Sequence, residues 1–328
     1  MQLDSFGFQP FFSFNLALLK VQKVHSHLVR KYHLIYRNMA IVRYLWTFNI
    51  FLSTLILCGN GAKSYHAVVV IHGVLTGSDS MELISNRIEE MHPGSQVYNT
   101  IRYAGWESLQ PMWRQVEEIG MDVISIGAAF PEGIHLIGYS QGGLLARAIL
   151  QRFPEHNVRN FISLSSPQAG QYGTRFLHLF FPNLVCETAY ELFYSKVGQL
   201  TSVGNYWNDP HHQELYFKYS KFLPYVNNEK TNKTIFKSGL AKLNRMILIG
   251  GPDDGVITPW QSSQFGYYDK NETVLELRDR SIYQDDLIGL KILDKQGKLD
   301  IITVPGVPHY GWHKNISIID EFLLPYLD

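Results

Sequence analysis

Gly138-Tyr139-Ser140-Gln141-Gly142 has the residue types and spacing of a tight turn that lifts a serine hydroxyl into the open. Such a reversal is too tight for side chains at the flanking positions, which is why glycines stand two residues to either side. A helix beginning at Gln141 aims its free N–H groups and dipole at the serine, where they favour a negative oxygen. The chemistry that follows is acyl transfer with Ser140 as nucleophile. The blander alternative is a glycine-rich turn carrying a surface serine.

A serine attacks when a base takes its proton, and the base works best when a carboxylate fixes its tautomer and steadies its cation. Both groups follow in the chain order expected for such a turn. A carboxylate comes in Gly250-Gly251-Pro252-Asp253-Asp254-Gly255 and a histidine in Pro305-Gly306-Val307-Pro308-His309. Spacing alone leaves Asp253 competing with Asp254, and His313 with His309. His72-Gly73-Val74 follows an apolar run, so the backbone N–H groups of Val74 and Gln141 are the expected oxyanion hole. A simple strand-ending turn is the alternative there. His211-His212 beside Asp209 tempts a metal reading. Adjacent histidines diverge on most backbones and no HExxH or cysteine pattern accompanies them, so a solvated loop is expected and no metal or cofactor is assigned.

These residues need a scaffold that brings distant segments to one edge. His66 to Ile71, Gln96 to Ile101, Ile134 to Ile137, Val158 to Leu164, Met246 to Ile249 and Leu299 to Val304 read as strands. Between them lie helical patterns: Ile84, Ile88 and Met91 ending at Pro93-Gly94; Trp106 to about Phe130, interrupted at Pro111 or Gly120; Leu144 to Leu150; and Lys314 to Tyr326. Alternating strand and helix predicts an α/β fold, a mostly parallel sheet with helices on both faces. The rhythm breaks over residues 167–240, where aromatic clusters are interrupted by prolines and glycines, and an inserted helical lid is expected.

The 328 residues suit one large domain with an insertion, and 29 basic residues against 29 acidic ones give no hint of a nucleic-acid partner. Met39 to Ala62 has the basic start, apolar run and small-residue end of a secretory signal peptide, with 1–38 as an upstream extension and 63–328 as the domain. The apolar run is too short for a stable membrane span. Three sequons, at Asn232, Asn271 and Asn315, fit a lumenal glycoprotein. With Cys58 removed, Cys186 stands alone and reads as a small buried apolar residue.

Longer strings carry a resemblance. Ser140 lies in Gly138 to Gly143, and Phe161-Ile162-Ser163-Leu164-Ser165-Ser166-Pro167-Gln168 follows. Asn205 to His212 lies in the lid, and the longest string runs from Leu248 to Ser263. On these the chain resembles the palmitoyl-protein thioesterase family, in its lysosomal branch, over roughly Ala67 to Leu327. The resemblance implies an α/β-hydrolase fold, a triad of Ser140, Asp254 and His309, fatty acyl thioesters as substrates, and the lysosome as setting. It departs from vertebrate relatives in lacking their disulfide cysteines. The rival expectations are a lipase or carboxylesterase with the same triad and a catalytically silent lipid carrier. Because an ordinary imidazole titrates near ~6.5 and must be neutral to act as base, activity is expected to rise from acid toward neutral pH.

Overall fold

Valine- and isoleucine-rich runs become strands β1 (Ala67–Ile71), β2 (Val97–Asn99), β3 (Ile134–Tyr139), β4 (Val158–Leu164) and β5 (Arg245–Gly250). A short antiparallel hairpin, β6 (Tyr267–Tyr268) with β7 (Val274–Leu275), precedes β8 (Leu299–Thr303). The main sheet has six strands in the order β2-β1-β3-β4-β5-β8, and every pairing is parallel. The computed structural model describes residues 65–327 apart from 174, 177, 179–182, 184–185 and 232–233. The expected N-terminal extension and signal peptide, the sequon at Asn232 and the side chain of Cys186 lie outside the described residues.

Strand runs are continuous rather than alternating because both faces are covered. In β1, Ala67, Val69 and Ile71 join one core while Val68 and Val70 join the other. In β5, Met246 and Leu248 face the first core, Ile247 and Ile249 the second. Helices α1 (Glu82–Met91) and, near the C-terminus, Ile316–Phe322 cover the second face through Ile84, Ile88, Ile318 and Ile319. Helices α2 (Met112–Ala129) and α3 (Gln141–Arg152) cover the first. This is an α/β-hydrolase fold. Met91, placed by spacing on the apolar face of α1, is instead 44% exposed at the helix end.

The stretch from Trp106 breaks at Pro111, not at Gly120. A 3-10 turn, Gly105–Leu109, stops where Gln110 must be extended to precede proline. Gly120 lies inside the helix, where glycine leaves room for the Phe153 ring, since a Cβ there would lie 2.2 Å from it. The last helix starts at Ile316 because Asn315 caps it, its Oδ1 accepting from the Ser317 N–H at 3.0 Å.

Between β4 and β5 the chain forms short helices, α4 (Cys186–Phe193), α5 (Ser202–Tyr206), α6 (Gln213–Tyr219) and α7 (Leu223–Val226), in the region read as a lid. Its last helix, α8 (Thr234–Ala241), is a crossover that packs on α3. Gly239 permits this, since a Cβ there would sit 1.9 Å from the Leu150 carbonyl oxygen. Arg147 of α3 is wholly buried and donates to Gln168, Val226 and Asn227, tying the sheet domain to the lid. Among the described residues no helix is long and apolar enough to cross a membrane.

Topology alone marks one crevice. The chain leaves β1 for β2 on one side, then returns to β3 on the other. Adjacent strands whose connections diverge leave a cleft at their carboxyl ends, where ligands of open parallel sheets bind. His72-Gly73-Val74 and Ser140 both stand at that cleft, after β1 and β3.

Candidate active site

Ser140 is the one residue between β3 and α3, at φ 53° and ψ −127°. A non-glycine residue held there is strained, and the surroundings enforce it. Its N–H donates to the Leu164 carbonyl at 2.9 Å, continuing the sheet ladder one residue past the strand. The flanking glycines are required by backbone approach. A Cβ at Gly138 would lie 2.4 Å from the Gly143 Cα, and one at Gly142 would lie 2.3 Å from the Ile71 carbonyl oxygen. The glycine at 142 therefore lets α3 start directly against the end of β1.

His309 opens a 3-10 turn after β8, following Pro308. Its Nε2 is 3.0 Å from Ser140 Oγ, and its Nδ1 is 2.9 and 3.1 Å from the two oxygens of Asp254. The His309 N–H donates to the Asp254 carbonyl at 2.8 Å, and the Tyr139 hydroxyl donates to the His309 carbonyl at 3.0 Å. Backbone as well as ring is thus fixed. Asp254 follows β5 and is buried. Burial pushes its carboxyl up, but the bond and charge of His309, with bonds from Ser165 and the Ile257 N–H, outweigh that and hold it below the usual range.

Both alternatives left open by spacing separate by burial and reach. Asp253 is exposed and accepts from the Gly306 N–H at 2.7 Å, so it braces a loop. His313 lies behind Tyr139, ring centroids 4.4 Å apart, with no described bond to Ser140. Burial, then the charges of Lys314 and His309, push its pKa down to about 4. His309 and Asp254 are the pair that meets Ser140.

Val74 lines a cavity of about 180 Å³ together with Ser140, His309, Phe176 and Tyr310. Gln141 is anchored from below, its side-chain amide donating to the Ser108 carbonyl at 2.8 Å. Among the described residues neither the Val74 nor the Gln141 N–H is hydrogen-bonded to an acceptor. The larger cavities, of about 280, 420 and 500 Å³, are lined by none of Ser140, Asp254 or His309, so size does not select the site. His211 and His212 go to separate carboxylates, Glu272 at 2.8 Å and Asp209 at 2.9 Å. Among the described residues no group of three or more His, Cys, Asp or Glu is placed to hold a metal ion. Asn271 and Asn315 are on the surface.

Two site residues escaped the sequence reading. Ser165 Oγ donates to Asp254 Oδ2 at 2.5 Å, and Trp312 Nε1 donates to the same oxygen at 2.7 Å. Ser165 lay inside a string singled out for its resemblance, but nothing in the string gave it a role. Trp312, three residues past His309, carried no signal of its own.

Comparison with known proteins agrees with this geometry. The family model for palmitoyl protein thioesterase matches residues 67–309, from the first strand to the histidine. The chain is 54% identical to "Lysosomal thioesterase PPT2 homolog" of Drosophila melanogaster, covering 84% of this chain and 98% of that protein. It is 46% identical to "Lysosomal thioesterase PPT2" of Rattus norvegicus and 45% identical to that of Homo sapiens, covering 80% of this chain and 88% of each. With the turn at Ser140, Asp254 and His309 all inside the matched span, the chain belongs to the palmitoyl protein thioesterase family.

Proposed function

We propose that this protein is a lysosomal serine hydrolase that cleaves fatty acyl thioesters, with Ser140, His309 and Asp254 as its catalytic residues. The observation that carries the reading is the unbroken chain from Ser140 Oγ through the imidazole to Asp254, at 3.0 and 2.9 Å. The names of its relatives support the substrate class and the compartment.

His309 Nε2 takes the Ser140 proton as Oγ attacks the thioester carbonyl. The resulting oxyanion is held by the N–H groups of Val74 and Gln141, both free to donate. The C–S bond breaks, the thiol leaves with the proton from His309, and Ser140 carries the acyl group. Water, deprotonated by His309, then releases the fatty acid and restores the serine. Asp254 stabilises the imidazolium formed in each half-reaction. A thiol of ordinary pKa near ~8.5 departs with far less help than an alcohol. The acyl chain enters along the apolar wall of the cavity, where Phe176 comes from the lid and Leu75 from the loop after β1.

Residues 39–62 are proposed to be removed as a signal peptide, with Asn271 and Asn315 glycosylated. N-terminal sequencing of the secreted protein tests the first, and a mature chain beginning before Met39 overturns it. For the enzyme, turnover of an acyl-CoA is measured beside that of an oxygen ester with the same acyl chain. Faster thioester hydrolysis, with a fluorophosphonate label on Ser140, is expected. Preference for the ester would make the protein a lipase or carboxylesterase, and absence of labelling would make it a lipid carrier.

A further inference from the structure

Asp254 Oδ2 is surrounded by donors from two directions. Ser165, one residue past β4, reaches it at 2.5 Å, and Trp312, from the turn that begins at His309, reaches it at 2.7 Å. The His309 Nδ1–H lies at 2.9 Å. The other oxygen accepts from the Val256 and Ile257 N–H groups at 3.0 and 2.7 Å. An indole N–H and a backbone N–H can only donate. Neither carboxylate oxygen therefore has room for a proton unless a bond is broken, and the site is buried, so water does not replace the lost partner.

Both donors are held in place. Ser165 sits at φ 45°, with its N–H donating to the Ile249 carbonyl at 2.7 Å, and is only 1% exposed. Its Oγ is also 3.3 Å from His309 Nδ1, so it bridges acid and base. Trp312 is fully buried.

We propose that Ser165 and Trp312 are positioning residues for the reaction, whose two hydrogen bonds keep Asp254 an ionised acceptor so that the Asp254–His309 pair resists protonation in acid. This rests on the reading of Ser140, His309 and Asp254 as the catalytic set. Donors that draw charge from the carboxylate make it less basic, so the imidazolium beside it is held less tightly and its proton is lost at lower pH. Removing a donor reverses this and moves the acid limb of the rate profile upward.

Few other groups act on the pair. Tyr139 faces it from β3, its hydroxyl pushed well above the ordinary range by burial, and Tyr310 faces it from the His309 turn. Burial, then the charges of Lys314 and His309, push His313 down to about 4, so its charge is mostly lost by about pH 5. The Arg175 guanidinium stands against Gly255. None of these bonds Asp254, whose described donors are the five named.

The test is kcat/KM for a long-chain acyl-CoA from about pH 4.5 to 8, using the full secreted chain and its Ser165→Ala and Trp312→Phe variants. Rates are divided by the amount of Ser140 labelled by fluorophosphonate at about pH 7.5, which removes any misfolded fraction. Each variant is expected to lose roughly tenfold near pH 5 and only about twofold near pH 7.5, the size of one charge-assisted hydrogen bond. A loss equal at all pH values, or no loss in either variant, overturns the proposal. Wild-type protein that neither labels at Ser140 nor turns over thioester would instead sink the catalytic reading itself.

Discussion

Ser140 and Ser165 end neighbouring strands of one sheet, and both touch the ring of His309. Each stands one residue past its strand, at φ 53° and 45°. Each continues the ladder, donating its N–H to the Leu164 and Ile249 carbonyls respectively. Their roles diverge at the imidazole. Ser140 meets Nε2 and lines the cavity, whereas Ser165 meets Nδ1 and donates its hydrogen bond to Asp254. A hydroxyl committed to a carboxylate on the closed side of the ring has no substrate to attack. The difference teaches that a nucleophile is defined by which nitrogen it faces and by access, since strain, strand position and ring contact are shared.

The comparison breaks most visibly at Ser140. Ser140→Ala should lower kcat by about 10⁶-fold while leaving folding intact, the scale seen when the nucleophile of a triad is removed. Acyl-CoA turnover and circular dichroism check it; residual activity within tenfold of wild type would mean that Ser140 is not the nucleophile. Asp254→Asn keeps the shape but supplies a donor where His309 needs an acceptor. A loss of about 10⁴-fold in kcat is expected, by the precedent of the same change in other triads. A loss below tenfold would mean that Ser165 can orient the imidazole by itself.

A third measurement separates acid loss of activity from acid loss of fold. His156 is buried, its Nε2 donating to the Gly239 carbonyl at 2.8 Å and its Nδ1 accepting from the Val158 N–H at 3.1 Å. That pair of bonds admits only the neutral ring. Burial, offset in part by the Gly239 bond, lowers its pKa from 6.5 to about 4. The unfolded chain therefore binds a proton below about 6.5 that the folded chain refuses until about 4. Stability is full above that window and falls as pH falls through it, by on the order of 3 kcal/mol. Urea midpoints at about pH 7 and 4.5 should differ less in His156→Gln than in wild type; equal differences would exclude His156 as the cause. The smallest effect belongs to the exposed neighbour of Asp254. Asp253→Asn should change kcat/KM by no more than about twofold, since surface changes away from buried networks are nearly neutral. A loss of tenfold or more would mean that the Gly306 brace positions His309.

Much of this site could be read along the chain because its parts obey local rules. The turn at Ser140 demands glycine wherever a Cβ would strike backbone, and those demands are written at Gly138 and Gly142. Continuous apolar runs announced buried parallel strands, and chain order announced a carboxylate and a histidine. The resemblance of long strings then chose Asp254 and His309 where spacing could not choose. Less legible was the chain after residue 167, where short helices follow tertiary packing rather than a strong period. The hairpin β6–β7 was not anticipated either, since two-residue strands carry almost no pattern.

By itself, then, the sequence determined the alternation of strands and helices, the tight turn at Ser140 and the chain order of the carboxylate and histidine after it, because backbone sterics and periodicity act between near neighbours. Only the tertiary structure decided which ring nitrogen each serine faces, that Trp312 and Ser165 converge on one carboxylate oxygen, and that Asp253 turns to solvent while Asp254 is buried. Those outcomes depend on strands β3, β4, β5 and β8 lying side by side. Contacts between residues 58 to 169 positions apart are set by sheet order and register, which no local pattern encodes.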